Sequence, residues 1–158
     1  MSHDDKAELI ASYRRYLHDT RRDLKRGSSS ARQGTRVDGE HRPNNRGERA
    51  AVTSSGYLSA GLQQRIDELD AALVLLDRVG TGTRSRAVMG AWLEVEDEDG
   101  TPRQLVLLPG GQGVRLEGPS GPVTVLSPEA PLARALAGCT EGDDRMFRGE
   151  ELVVSWIR

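Results

Sequence analysis

Aromatic side chains are scarce, making up 4% of the 158 residues. Large cores depend on such side chains, so one core spanning the chain is poorly supplied and an elongated or two-part molecule is expected. Cysteine occurs once, at Cys139, which excludes a disulfide framework and a thiolate metal cluster and suits a reducing compartment. The histidines His3, His18 and His41 lie far apart and lack ligand spacing, so no protein-bound metal and no resident cofactor is expected. No apolar run approaches membrane length, and Met1 to Lys6 lacks the basic and apolar regions of a secretion signal. A cytoplasmic protein is expected on those grounds. A dominant charge of one sign is missing too: the formal net charge is -2. This argues against a protein that wraps nucleic acid with its whole surface and leaves room only for a local basic patch.

Two helical seams are present. Ile10, Tyr13, Leu17, Thr20 and Leu24 alternate at spacings of three and four, with Thr20 the polar exception. Leu62, Ile66, Leu69, Leu73 and Leu76 do the same, with Arg65, Asp67, Glu68 and Asp70 on the other faces. Stripes of this kind can bury each other as an antiparallel two-helix coiled-coil hairpin. Between them, Gly27 to Arg49 is poor in large apolar residues and rich in Gly and Ser. By composition it is a flexible loop. The alternative is that both helices continue with Ala31, Gly34, Ala51 and Ser55 facing each other and turn near Gly39 to Gly47. Each arm would then have about 30 residues, or roughly 45 to 50 Å at 1.5 Å per residue.

The helical pattern ends at Val79, and Gly80, Thr81, Gly82 and Thr83 mark a linker. The expected division is therefore a hairpin at 1–79 with its tip near 38–48, a linker at 80–89, and a β-rich domain at 90–158, giving an α+β protein. Strand-like runs fall at Ala91–Glu96, Leu105–Leu108, Val114–Glu117, Val123–Leu126 and Leu152–Ile157. A short helix is expected after Ser127 as N-cap, with Pro128 at its first position and Gly138 at its end. Trp92 and Trp156 are expected in the core, and Glu94 to Asp99 in a solvated hairpin turn. Gly110-Gly-Gln-Gly113 lacks the Lys-Ser or Lys-Thr pair of a phosphate-binding loop and reads as a strand connection.

The segment Val123-Thr-Val-Leu-Ser-Pro, then Pro131-Leu-Ala-Arg-Ala-Leu-Ala-Gly138 and Glu141-Gly-Asp143, resembles the signature of the carboxy-terminal domain of Gre-type transcription elongation factors. Gly90 to Gly100 resembles that domain's opening hairpin, and the paired seams agree with the family's amino-terminal coiled coil. The resemblance implies an FKBP-like carboxy-terminal domain docked on the rim of the RNA polymerase secondary channel, with the coiled coil inside the channel. On it, Ser127, Pro128, Leu132 and Arg134 would touch the polymerase. The protein would contact nascent RNA only indirectly, be a monomer when free, and have no enzymatic activity of its own. In the family, acidic residues at the hairpin tip help the polymerase to cleave backtracked RNA by holding a second Mg2+ jointly with it.

The tip is where this sequence departs from the family. The tip candidates are Asp38, Glu40, Asn44 and Glu48, and the nearest match to the family pattern is Asn44-Asn45-Arg46-Gly47-Glu48, which puts an amide where a carboxylate is expected. The upstream acid corresponds to His41, or to Glu40 in a shifted register. Arg26, Arg32, Arg36, Arg42, Arg46 and Arg49 surround this segment. An amide brings Mg2+ no charge, and arginines attract phosphate or carboxylate rather than a metal. Two expectations stay open, a factor that stimulates cleavage and one that occupies the channel without it. Outside this class stand a prolyl isomerase built on the FKBP-like domain and a coiled-coil adaptor pairing between chains.

Overall fold

A computed structural model of the chain describes residues 3–35 and 46–158. Helix α1 runs from His3 to Thr35 and α2 from Arg46 to Leu76. Arg14 pairs with Asp77, just past the end of α2, and Arg21 pairs with Asp70 on α2, so seven residues forward on α1 match seven residues back in the second segment. The pairing is antiparallel at heptad spacing. The chain divides into two compact units, one formed by 1–15 with 72–158 and the other by 16–71.

In the unit Tyr16–Ala71 the seam is what the spacing predicts: Leu17, Ile66 and Leu69 are buried, and Leu24 and Leu62 half-buried. The composition-based loop is overturned over 27–35 and 46–49, which are helical. Gly27 and the serine run are weak helix formers, yet they lie within α1, and Ser28 is buried at 5% exposed. Tertiary packing outweighs the propensity. The turn expected near 39–47 falls largely outside the described residues.

The other unit contains the sheet. Its strands are β1 (Trp92–Glu96), β2 (Pro102–Leu107), β3 (Gln112–Gly118), β4 (Gly121–Leu126), β5 (Asp144–Phe147) and β6 (Glu150–Ile157), ordered β3-β4-β2-β1-β6-β5. Only β2 and β4 pair in parallel. The central strands are buried on both faces: Leu93, Val95, Leu105 and Leu107 form a core with Ala133 and Leu136 of helix α3 (Pro131–Leu136), and Trp92, Val106, Val123 and Val125 are buried on the opposite face. Trp92 is in the core as expected, whereas Trp156 is only half-buried and meets it edge to face with centroids 5.8 Å apart. The unit also includes the base of the helices. Tyr13 Oη donates to Pro109 O at 3.1 Å, and the buried Lys6 Nζ donates to Gly82 O at 2.7 Å and Arg158 O at 3.2 Å.

Two expectations needed correction here. Strand β5 was not foreseen, because Asp144-Arg-Met-Phe is largely polar and sits at the sheet edge, where one side needs no apolar cover. The signal was the two-residue turn Arg148-Gly149, whose φ values of 54° and 89° place both residues in the left-handed region a tight hairpin uses. The short helix begins at Pro131 and not at Pro128. A residue before proline is driven out of the helical region, and Ala130 duly has φ -59° and ψ 141°, so no helix could run through it.

Candidate partner-docking site

The candidate surface starts where β4 ends. Ser127 N–H donates to Gly111 O at 3.0 Å, and Ala130 N–H donates back to Ser127 O at 3.0 Å, closing a β-turn over 127–130 with Pro128 fixing its second position. Gly111 is needed there, because a Cβ would lie 2.6 Å from the Leu126 carbonyl carbon. Ser127 makes no side-chain cap to α3, contrary to the expectation, so its hydroxyl is not committed to the helix. Ser127, Pro128 and Leu132 are half-buried and Arg134 is exposed. The structure thus gathers the four expected contact residues on one continuous turn and helix.

Beside them a groove of about 380 Å3 opens along β1, β2, β3 and β4, with Leu105, Leu126 and Leu132 supplying apolar lining, Arg103 and Arg115 cations and Glu94 a carboxylate. Arg103 is held by Asp97 at 2.7 Å and Glu150 at 3.4 Å. The same guanidinium holds the Asp97 carboxyl below its usual range, helped by the Thr101 and Asp99 amides. Asp97 thereby closes the β1–β2 turn, which holds only Asp97 to Asp99 of the acidic run; Glu94 to Glu96, expected in the turn, belong to β1, where Val95 between them is buried. Arg115 makes no ion pair among the described residues. The arrangement can accept an apolar side chain flanked by a carboxylate, with Arg115 free to meet the charge.

Glu141-Gly-Asp143 has a structural role. Asp143 Oδ2 accepts from Thr140 N at 2.8 Å and Thr140 Oγ1 at 3.1 Å, and these bonds lower its pKa from the ordinary carboxylate value. Gly142 N–H donates to Val154 O, tying the turn to β6. The tip candidates Asp38, Glu40 and Asn44 lie outside the described residues. Glu48 is in the first turn of α2, and its side chain likewise lies outside. Sequence reasoning missed Arg103 and Arg115. The available signal was the alternation Arg103, Leu105, Leu107, which puts a cation in line with two core residues on one face of β2.

Fold and site together define an α+β protein: an antiparallel helix pair, and a mixed six-stranded sheet carrying a short helix beside an apolar groove with a cationic rim. No protein-family model and no curated protein matches the chain. Among solved structures it is similar to GreA factor homolog 1 (Gfh1) of Thermus thermophilus, at 18% identity over 92% of this chain and 94% of that one, with a TM-score of 0.38. A second similar structure, of the transcription factor Gfh1, is 16% identical over 96% of this chain and 92% of that one, again with a TM-score of 0.38.

Proposed function

We propose that this chain is a Gre-type transcription factor that binds RNA polymerase through the turn 127–130, α3 and the groove beside them, and modulates elongation without catalysing a reaction itself. The observation that carries the reading is that Ser127, Pro128 and Leu132, half-buried, and Arg134, exposed, share one continuous turn and helix, at residues whose sequence resembles the family's docking signature. The Ser127 hydroxyl, which does not cap α3, and Arg115, which has no ion pair among the described residues, supply polar groups that a docked surface could satisfy. FKBP-like describes the domain by the same resemblance. The groove is lined by no aromatic ring, which leaves a prolyl isomerase without the cradle such a pocket uses.

Within this reading the protein occupies the polymerase channel with little stimulation of RNA cleavage. Asn44 favours that form over a cleavage factor, because an amide recruits Mg2+ poorly where a carboxylate is needed. The test is a gel of transcripts from backtracked complexes of the cognate polymerase in Mg2+. Transcripts that stay full length and resist a known cleavage factor support channel occupancy. Efficient shortening would show that Asp38, Glu40 or Glu48 supplies the carboxylate, and the non-cleaving form would then be abandoned.

A further inference from the structure

The sheet ends in β3 on one side and β5 on the other. β3, with seven residues, is the longer edge, and β5 has four. An edge strand offers a row of backbone N–H and C=O groups to any strand that fits beside it. Which residues of β3 offer them follows from its pairing with β4. The tight turn between Gly118 and Gly121, and Pro122 with no N–H to give, both make Glu117↔Pro122 a pair not joined by hydrogen bonds. Alternation then turns the backbone groups of Val114, Leu116 and Gly118 toward β4 and those of Arg115 and Glu117 away from it. Arg115 and Glu117 are exposed, whereas Val114, Leu116 and Gly118 are half-buried.

Charge commonly protects such edges, and a run of one sign would repel a second copy in every register. The outward positions of β3 carry both signs. Three antiparallel, two-fold registers centre on the charged stretch and keep outward groups opposite outward groups. Centred on Arg115, the register sets arginine against arginine. Centred on Glu117, it sets glutamate against glutamate. Centred on Leu116, it sets Arg115 against Glu117 of the second copy, Glu117 against that copy's Arg115, and Leu116 against Leu116. Opposite charges directly across a sheet stabilise the pairing and like charges destabilise it, so the charges select the register centred on Leu116. Neither Arg115 nor Glu117 makes an ion pair among the described residues, so both are available.

We infer that β3 is an interface between two copies of this chain, joined edge to edge across Leu116 into one continuous sheet. The arginine–glutamate pairs lie on one face of that sheet and the facing leucines on the other. The ladder runs from Val114 to Gly118, because Gly113 would next face Pro119, which has no N–H. So short a contact falls below the size of permanent dimer interfaces, and the association is weak, leaving the chain a monomer when dilute. It does not depend on polymerase docking, although both draw on Arg115.

The test is sedimentation equilibrium of the full chain from ~10 μM to ~1 mM, where a weak dimer is expected to build up as concentration rises. Arg115→Glu and Glu117→Arg each set like charges opposite each other at two places and should weaken self-association at least ~10-fold. Mixed together, the two variants set opposite charges against each other again and should associate with each other as wild type does with itself. Oxidation reads the register. Leu116→Cys, ~4.5 Å from its own copy between Cα atoms, should give a disulfide-linked dimer, whereas Val114→Cys, ~14 Å from its copy, should not. Cys139 is buried and common to both variants. Circular dichroism would show that each variant is folded. The inference is overturned by a monomer at every concentration, which would leave the edge to a foreign strand. Association that neither charge reversal weakens would also overturn it, since the contact would then lie elsewhere, as would mixed variants that fail to associate or equal cross-linking through Val114→Cys.

Discussion

Three positions show how the same residue type can have opposite consequences. Gly27 lies within α1 with nothing within 4 Å of where a Cβ would be. Gly27→Ala should therefore raise stability by about 0.5 to 1 kcal/mol through lost unfolded-state freedom, read as a higher Tm. Gly110 has φ +71°, and a Cβ there would lie 2.7 Å from Ala72 Cβ. Gly110→Ala should lower stability, by about 1 to 3 kcal/mol for a strained left-handed residue. Lys6 is the third case. Burial, assisted by the nearby Arg84 charge, lowers its pKa from 10.5 to about 8. The unfolded chain then holds the proton more tightly than the folded one between pH 8 and 10.5, so stability rises with pH across that window. Chemical denaturation of wild type and Lys6→Met should diverge there, with wild type gaining as pH rises. A constant difference between the two would contradict it.

At the scale of elements, the seams of α1 and α2 were legible because three-four spacing of large apolar residues has one simple solution. Ile10, Tyr13, Leu17, Ile66, Leu69, Leu73 and Leu76 are all buried. The extension of α1 through Gly27 and Ser28 was not, because propensity argues against it and only packing across the pair favours it. Strand β5 escaped for the converse reason, since an edge strand needs no apolar alternation. The start of α3 turned on a choice between two prolines that both suit a first helical turn, and Ala130 before Pro131 decides it. The candidate site was legible as a segment, Ser127 to Arg134, while Arg103 and Arg115 on neighbouring strands were not. A pairing register cannot be read from one strand. The correction at α3 makes its own prediction. Ser127→Ala should leave stability unchanged within about 0.5 kcal/mol, where loss of a true N-cap would cost about 1 kcal/mol. The same variant should weaken polymerase binding, so Tm and affinity separate the two roles.

For the molecule as a whole, the central claim is that the turn 127–130 and α3 form a polymerase-binding surface. Among the described residues no helix is long and apolar enough to cross a membrane. The groove combines an apolar lining with Glu94, the ion-paired Arg103 and Arg115, and Arg115 is the group that could answer a carboxylate beside a partner's apolar residue. The most direct measurement is the affinity of the full chain for cognate core RNA polymerase, by biolayer interferometry, with Leu132→Glu alongside wild type. The account predicts one-to-one binding for wild type and a loss of at least ~100-fold for Leu132→Glu, about 2.7 kcal/mol for a charge placed in an apolar contact, measured well below the variant's Tm, which falls because half-buried Leu132 also packs against the core of the sheet. No binding by wild type, or equal binding by wild type and a folded Leu132→Glu variant, would contradict it.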